Sequence, residues 1–251
     1  HADYRRMGIY QRIWTETKKM LSDNNLTLMT FPSTDGMSIG AMRKEGLTEL
    51  GDMQQMCLIL KPGTVFAQKM LRGHGRGSLL ARTVDAVARL LLAPSRSTIQ
   101  TVPIKRFEHD YAVHDGRMHG RRSKEYLNWR FVDNPMVNFE SLLFQDSGKT
   151  IGYCCFCLCG NIPSAYIYDF YADYGRERCI RSIVSFIASK YKHVNCVFYK
   201  MLSNFEVGKC FIKCGFFPLK VDNVMFVGNV RSDSPLAIKK NWHLTIGDTD
   251  W

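Results

Sequence analysis

The stretch HADYRRMGIY, residues 1–10, decides how the fold is interpreted, because it joins a cationic turn to the start of a helix. Arg5 and Arg6 precede Gly8, which can adopt a positive φ at little cost. Apolar residues then recur on one helical face, at Ile9, Ile13, Met20 and Leu21. Unpaired N–H groups at such a helix start suit a pyrophosphate. The alternative is an ordinary basic helix start with a tight turn.

The motif Arg5-x-x-Gly8-x-Tyr10 resembles the acyl-CoA loop of the GNAT superfamily of acyltransferases, usually Gln/Arg-x-x-Gly-x-Gly/Ala after an acidic and aromatic lead-in. Tyr10 departs from that pattern, because the family places Gly or Ala there, close to the pyrophosphate. Met42 stands where the family often has a Tyr that protonates the leaving thiolate, so the acid lies elsewhere or is missing. The resemblance implies acetyl-CoA as cosubstrate, bound by Arg5, Arg6, Met7, Gly8, Ile9 and Tyr10. It assigns no catalytic residue.

The second half of the chain predicts an alternation of strands and helices. Residues 139–144 and 150–159 form a predicted hairpin, since the intervening Asp146-Ser147-Gly148-Lys149 is a turn sequence. Strand, helix and strand patterns follow at residues 165–172, 180–191 and 193–201. The next helix ends at Cys214-Gly215-Phe216, which resembles the helix ending in Gly-Phe of the GNAT family.

We therefore predict an α/β fold with a mixed sheet, formed by tandem GNAT-like domains of which the first is incomplete and the second complete. The predicted segments are the end of the first domain with the acyl-CoA loop (1–62), a Gly-rich linker and helix (63–98), a degenerate second domain (99–230) and a tail (231–251). The chain is expected to be the C-terminal part of a longer enzyme and to have little activity alone. Residues 173–179 carry Glu177 where a phosphate would sit, so the second domain is not expected to bind CoA.

The resemblance implies an N-acyltransferase that uses acetyl-CoA and a small-molecule or glycan amine. The tail 242–251 resembles the ending of tandem acyltransferases encoded with exopolysaccharide genes, which implies an amino sugar and a role in polysaccharide biosynthesis. Two alternatives stay open. One is a tRNA-dependent aminoacyl or peptidyl transferase on the same tandem fold, and the other is a non-catalytic scaffold.

Composition limits the partners and the compartment. The 251 residues are 45% apolar, contain no apolar run long enough to span a bilayer, and carry a net charge of +11. This charge favours anionic partners such as CoA, acidic glycans, tRNA or membrane surfaces, and no DNA partner is expected. Nine cysteines without a paired framework or a secretory signal favour a reducing compartment, the cytoplasm. The oligomeric state is not predicted.

Several other clusters are interpreted as structural. The cysteines lack zinc spacing, so they are predicted to be small core residues rather than metal ligands. The acidic and histidine residues at 108–122, namely Glu108, His109, Asp110, His114, Asp115 and His119, are interpreted as a solvated loop. Residues 61–77, with His74, lack Walker spacing and are interpreted as a flexible linker before a helix at 79–93. Asp169 lies either on a solvent face or buried as a base with a raised pKa.

Overall fold

The computed structural model describes residues 9–30, 36–70, 79–92, 99–111, 117–159, 163–202, 205–219, 224–231, 233–238 and 241–248. The α-helices in these ranges are α1 (Ile9–Asp23), α2 (Gly36–Lys44), α3 (Pro62–Met70), α4 (Leu79–Leu92), α5 (Lys124–Leu127, continued by a π-helical turn Asn128–Val132), α6 (Arg176–Lys190) and α7 (Phe205–Lys213). Short 3-10 helices lie at Pro235–Ala237 and Ile246–Asp248. The strands are β1 (Leu28–Thr30), β2 (Thr48–Ile59), β3 (Gln100–Ile104), β4 (Phe139–Asp146), β5 (Lys149–Cys159), β6 (Ser164–Ala172), β7 (Cys196–Leu202), β8 (Phe217–Leu219), β9 (Val224–Gly228) and β10 (Leu244–Thr245).

The chain divides into two compact units. The first comprises His1–Met53 and Asp222–Trp242, and the second comprises Gln54–Val221 and His243–Trp251. Strand β2 contributes residues to both units, and β9, late in the sequence, belongs to the first. The domain boundaries predicted from the sequence stay a prediction.

The first unit is a small antiparallel sheet with helices α1 and α2. Strand β9 pairs with β1 on one side and with the first residues of β2 on the other. Its apolar cluster contains Trp14, Leu47, Val224 and Phe226. Helix α2 ends at Lys44 and is followed by Gly46, whose φ of 76° allows the Leu47 N–H to reach the Met42 carbonyl at 3.2 Å. This is the C-terminal cap that a glycine favours.

The second unit has the strand order β2-β7-β6-β5-β4-β3, with β8 on β2 and β10 on β7. Strands β4 and β5 form the predicted hairpin, and Ser147 and Gly148 take the positive φ values that a tight hairpin turn requires. Strands β6 and β7 are parallel, and the connection between them includes α6. Helix α7 ends at Lys213 and is followed by Gly215 with a φ of 92°, in the same kind of cap as α2. The predicted mixed α/β class is confirmed.

Two apolar clusters contain side chains of the second unit's central strands. The larger cluster includes side chains of β4 to β7, α6 and α7, and the smaller one includes Phe107, Phe131 and Tyr153. Cys154 belongs to the larger cluster and Cys155 to the smaller, as strand alternation requires. All nine cysteines are free thiols and seven are buried. Most of them therefore act as the small core residues that the sequence predicted.

Residues Pro62–Met70 form helix α3, so the interpretation of residues 61–77 as a flexible linker is wrong over this helix. The helix begins at Pro62, a residue that favours a first helical position. The buried carboxylate of Asp85, on α4, accepts hydrogen bonds from the Gly63 and Thr64 N–H groups at 2.8 and 3.2 Å. This carboxylate caps α3 from another helix, a contact that local sequence does not show. Among the described residues, no helix is both long and apolar enough to cross a membrane.

Candidate functional site

The predicted acyl-CoA loop lies at the start of α1. Arg5, Arg6, Met7 and Gly8 lie outside the described residues, while Ile9 and Tyr10 are the first two residues of the helix. The first turn of α1 contains no acidic residue. In general, the first four N–H groups of an α-helix have no intrahelical partner and lie at its positive end. The local chemistry of this helix start therefore suits an anion.

A cavity of ≈ 470 Å³ lies in the first unit, further along α1, and the sequence did not predict it. Trp14 and Leu21 of α1 contribute apolar walls, and the end of α2 contributes Glu45 and Gly46. Lys18 also lines the cavity, and its Nζ lies 2.7 Å from Glu45 Oε2. Arg231 also lines the cavity, so its polar rim contains side chains of both charge signs.

Met42 lies at the position where the family resemblance implies a tyrosine that protonates the leaving thiolate. Its partly buried side chain packs against the first unit's apolar cluster, which contains Trp14 and Phe226. A thioether has no dissociable proton. Met42 therefore contributes to packing and cannot protonate a leaving group.

The start of α6 is the corresponding place in the second unit. Gly175 precedes the helix in the left-handed conformation, with φ 60° and ψ 30°. A cavity of ≈ 400 Å³ there is lined by residues 173–178 and Cys210. Its lining includes the carboxylates of Asp173 and Glu177 beside the side chains of Arg176 and Arg178. Glu177 is in the first turn, and its Oε1 lies 2.9 Å from Lys213 Nζ. Both carboxylates and both arginine side chains therefore surround the start of α6, and the absence of CoA binding there stays a prediction.

Asp169 is buried, with only 2% of its side chain exposed, so the solvent-face alternative is wrong. Its Oδ2 lies 2.7 Å from Arg122 Nε and accepts a 2.8 Å hydrogen bond from the Tyr153 hydroxyl. The Thr245 hydroxyl donates to Oδ1 at 3.1 Å. Burial, together with the neighbouring Asp169 carboxylate, raises the pKa of Tyr153 well above its usual value. Asp169 is the centre of a buried ionic cluster rather than an exposed base.

Arg122 and Asp248 complete this cluster, and the sequence analysis did not single out either residue. Arg122 Nη1 and Nη2 donate to Asp248 Oδ1 and Oδ2 at 2.6 and 2.7 Å. Burial alone would raise the pKa of Asp248, but the Arg122 guanidinium lowers it below its usual range. The two partners are 126 residues apart in the chain. No local pattern could have paired them.

The region at 108–122 is only partly described, and His114 and Asp115 lie outside the described residues, as does His74. Glu108, His109 and Asp110 are exposed, in agreement with a solvated loop. The Nδ1 of His119 lies 2.9 Å from the Gly120 carbonyl oxygen. Within the described parts of the chain, no group of three or more His, Cys, Asp or Glu side chains could hold a metal ion.

The buried thiols of β5 are poor candidates for nucleophiles. Burial raises the pKa of both Cys154 and Cys155 well above the usual value for a thiol. Because the thiolate is the reactive form, these two cysteines are inert at neutral pH. Their role is to pack on the two faces of the strand.

Comparison with solved structures identifies the fold. The structure of a GCN5-related N-acetyltransferase from Anabaena variabilis aligns with 90% of this chain and over 52% of its own length, with 12% identity and a TM-score of 0.56. The chain has a GNAT-like fold. A conserved protein of unknown function from Enterococcus faecalis, a probable N-acyltransferase, matches 90% of this chain and 51% of its own, with 12% identity and a TM-score of 0.57. A tandem GNAT protein from the clavulanic acid biosynthesis pathway covers 98% of this chain and 72% of its own, with 11% identity and a TM-score of 0.44.

The similarity confirms the predicted GNAT-like architecture, and at this identity it shows the fold alone. The chain spans about half the length of the Anabaena and Enterococcus proteins, 52% and 51% respectively. No protein-family model and no curated protein sequence matches it.

Proposed function

We propose that this chain carries the acyl-CoA site of an N-acyltransferase, which transfers an acetyl group from acetyl-CoA to an amine. Two observations support the proposal: the chain has a GNAT-like fold, and the described part of α1 begins at Ile9, within the predicted acyl-CoA loop. The residues proposed to hold the diphosphate are Arg5, Arg6, Met7, Gly8, Ile9 and Tyr10.

The beginning of α1 fits a diphosphate better than the beginning of α6 does. Its first turn has no carboxylate, and the sequence supplies Arg5 and Arg6 just before it. In α6, by contrast, Glu177 occupies the first turn. Since an acidic side chain beside a helix start competes with a bound anion, we assign the diphosphate to α1.

When bound, acetyl-CoA would supply an acyl group activated as a thioester. The role of this chain is to hold the diphosphate with the first-turn N–H groups of α1 and the two arginine side chains. Met42 cannot supply a proton, so the acid and the base of the reaction are assigned to neither Met42 nor the buried Asp169. The proposed acceptor is a small-molecule or glycan amine, with an amino sugar of polysaccharide biosynthesis as the specific candidate. A cytoplasmic location is supported by the nine free cysteines.

Thermal unfolding with and without ligand tests this proposal on the chain itself. CoA at a hundred times its Kd should raise the free energy of unfolding by about 2.7 kcal/mol, whereas pantetheine, which lacks the diphosphate, should protect less. The variants Gly8→Ala and Arg5→Ala should reduce the protection by CoA.

Gly175→Ala is the matched control, because Gly175 precedes α6 as Gly8 precedes α1. This variant should be less stable without ligand, since φ is 60° at that position, but should keep the CoA-induced shift. Equal protection of the Gly8→Ala variant and the wild type would contradict the assignment to α1. A complete lack of protection by CoA would favour a non-catalytic scaffold.

A tRNA-dependent aminoacyl transferase is the second candidate, favoured by the net charge of +11. Tight binding of charged tRNA whose affinity falls steeply with salt would support it. Weak binding at moderate salt would exclude this candidate and leave the CoA-dependent reaction.

A further inference from the structure

Helices α3 and α4 of the second unit meet through small side chains. A Cβ at Gly63 would lie 2.3 Å from the Ala81 carbonyl oxygen, so the two backbones approach closely at this point. The buried Asp85 carboxylate bonds to the start of α3, and Ala81 is buried one turn earlier on α4. The side of α4 that meets α3 therefore presents Ala81 and Asp85 rather than large apolar side chains.

Large apolar side chains of α4 are exposed instead. Leu80, Val84 and Val87 are 75%, 41% and 51% exposed. Their i, i+4, i+7 spacing places them on one face of the helix, and an amphipathic helix usually buries such a face. Phe66 on α3 is exposed as well. We call Leu80, Val84 and Val87 the apolar stripe. A contiguous exposed apolar face of this kind is typical of an interaction surface.

Positive charge is concentrated in the same part of the chain. Residues 61–98 have a net charge of +6, more than half of the net charge of +11 of the whole sequence. The seven basic residues are Lys61, Lys69, Arg72, Arg76, Arg82, Arg89 and Arg96, and the single acidic residue is Asp85. Since Asp85 is buried against α3, its carboxylate offers little repulsion to an anionic partner at the surface.

Apolar exposure and positive charge together select among the anionic partners. A nucleic acid needs the positive charge but gains little from exposed leucine and valine side chains. An anionic bilayer uses both features, because apolar side chains enter the boundary between headgroups and acyl chains while basic residues are attracted to the lipid phosphates. Helix α4 has 14 residues, fewer than the roughly 20 that span a bilayer, so it fits the plane of the interface.

We propose that the α3–α4 helix pair is a docking surface for a bilayer that contains anionic lipids, and that the apolar stripe inserts among the headgroups. The chain would then bind the membrane reversibly from its surface. Docking of this kind is independent of the proposed acyltransferase activity, so either can fail without the other.

Sedimentation of the full chain with lipid vesicles tests the proposal. The wild type should bind vesicles of equal parts phosphatidylglycerol and phosphatidylcholine, and it should bind pure phosphatidylcholine much more weakly. Added salt should reduce the binding to the anionic vesicles. The double variant Leu80→Gln and Val87→Gln should bind them at least about tenfold more weakly, because two apolar side chains no longer leave water.

The matched control is the double variant Met136→Gln and Ile212→Gln. These two side chains of the second unit are 85% and 51% exposed and lie outside the α3–α4 pair, so the control should bind vesicles like the wild type. The urea midpoint of each variant checks its folding, and Leu80→Gln alone is used if the double variant on α4 fails to fold.

Four outcomes would overturn the proposal. The first is a lack of binding of the wild type to the anionic vesicles, and the second is equal binding to pure phosphatidylcholine. The third is an equal loss of binding in the control and in the α4 variant. The fourth is binding of tRNA, or formation of a dimer that depends on the apolar stripe, without binding to vesicles. In that case the occupant would be a nucleic acid or a second copy of this chain.

Discussion

Replacing Arg122 by Met is the most direct test of the forces inside the second unit. The guanidinium is 3% exposed and bonds to two carboxylates, Asp169 at 2.7 Å and Asp248 at 2.6 and 2.7 Å. Methionine keeps an unbranched apolar side chain of similar length and removes the charge. The variant would leave the two carboxylates, 2% and 3% exposed, without the guanidinium that pairs with both of them.

The expected magnitude follows from that burial. Removing one partner of a buried ion pair costs about 3–5 kcal/mol, because the remaining charge stays desolvated. The hydroxyls of Tyr153 and Thr245 still bond to Asp169, and protonation of one carboxylate can relieve part of the repulsion. We therefore expect a loss of about 3 kcal/mol, at the lower end of that range. For a chain of this size, that loss corresponds to a fall in Tm of about 6–12 °C.

Arg106→Met is the matched control. Arg106 makes the same two-bond contact with Asp133 at 2.9 and 3.0 Å, but the two side chains are 59% and 49% exposed. Its loss should cost less than about 1 kcal/mol. The assay is urea unfolding, with hydrogen exchange of β5 and β6 amides to report on the second unit. If the two variants lost equal stability, burial would not govern the strength of these pairs and the reasoning would fail.

Three further predictions concern single groups. Folding lowers the pKa of Asp248, so the ionised carboxylate stabilises the folded state above its unfolded pKa of about 3.9. This stabilisation is lost as the pH falls through the folded-state pKa. The free energy of unfolding of Asp248→Asn in urea should therefore depend less on pH below about 4 than that of the wild type. Asp85→Ala removes the carboxylate that bonds to the start of α3 and should cost about 1–2 kcal/mol in urea unfolding, whereas an unchanged midpoint would show that α3 needs no cap. Tyr199→Phe removes a buried hydroxyl that has no hydrogen-bond partner among the described residues, while the ring can still stack on Phe211. The free energy of unfolding should stay unchanged or rise by up to about 1 kcal/mol. A clear loss of stability measured by calorimetry would contradict this.

The sequence was sufficient to predict the elements whose signals are local. The hairpin of β4 and β5 follows from the turn residues Asp146 and Gly148, and the predicted helix at 79–93 corresponds to α4, Leu79–Leu92. The glycines after α2 and α7 take the positive φ that their caps require. Each of these features depends on residues that are close in the chain, where period and turn chemistry are decisive.

The features that the sequence missed depend on distant contacts. Helix α3 is capped by Asp85, which is 22 residues from Gly63. The two alternatives for Asp169 could not be separated because its partners, Arg122 and Thr245, are 47 and 76 residues away. Regular alternation along β6 would place Tyr168 and Asp169 on opposite faces of the sheet. The bulge at Tyr168 places both side chains on one face instead. The cavity beside Trp14 likewise needs residues from both ends of the sequence.

The proposed division of labour between the two helix starts is an electrostatic argument. An anion at the start of α6 would meet Glu177, whose carboxylate is 39% exposed and paired with Lys213 on α7 at 2.9 Å. Binding there would require this pair to break or two negative charges to lie within one helical turn. The first turn of α1 carries no acidic residue, and two arginines precede it in the sequence. Since a helix start favours an anion by only about 0.3–1 kcal/mol when exposed, one nearby carboxylate is enough to cancel the preference. The positions of these few charges, rather than the fold, are therefore the reason that α1 is the proposed place for a diphosphate.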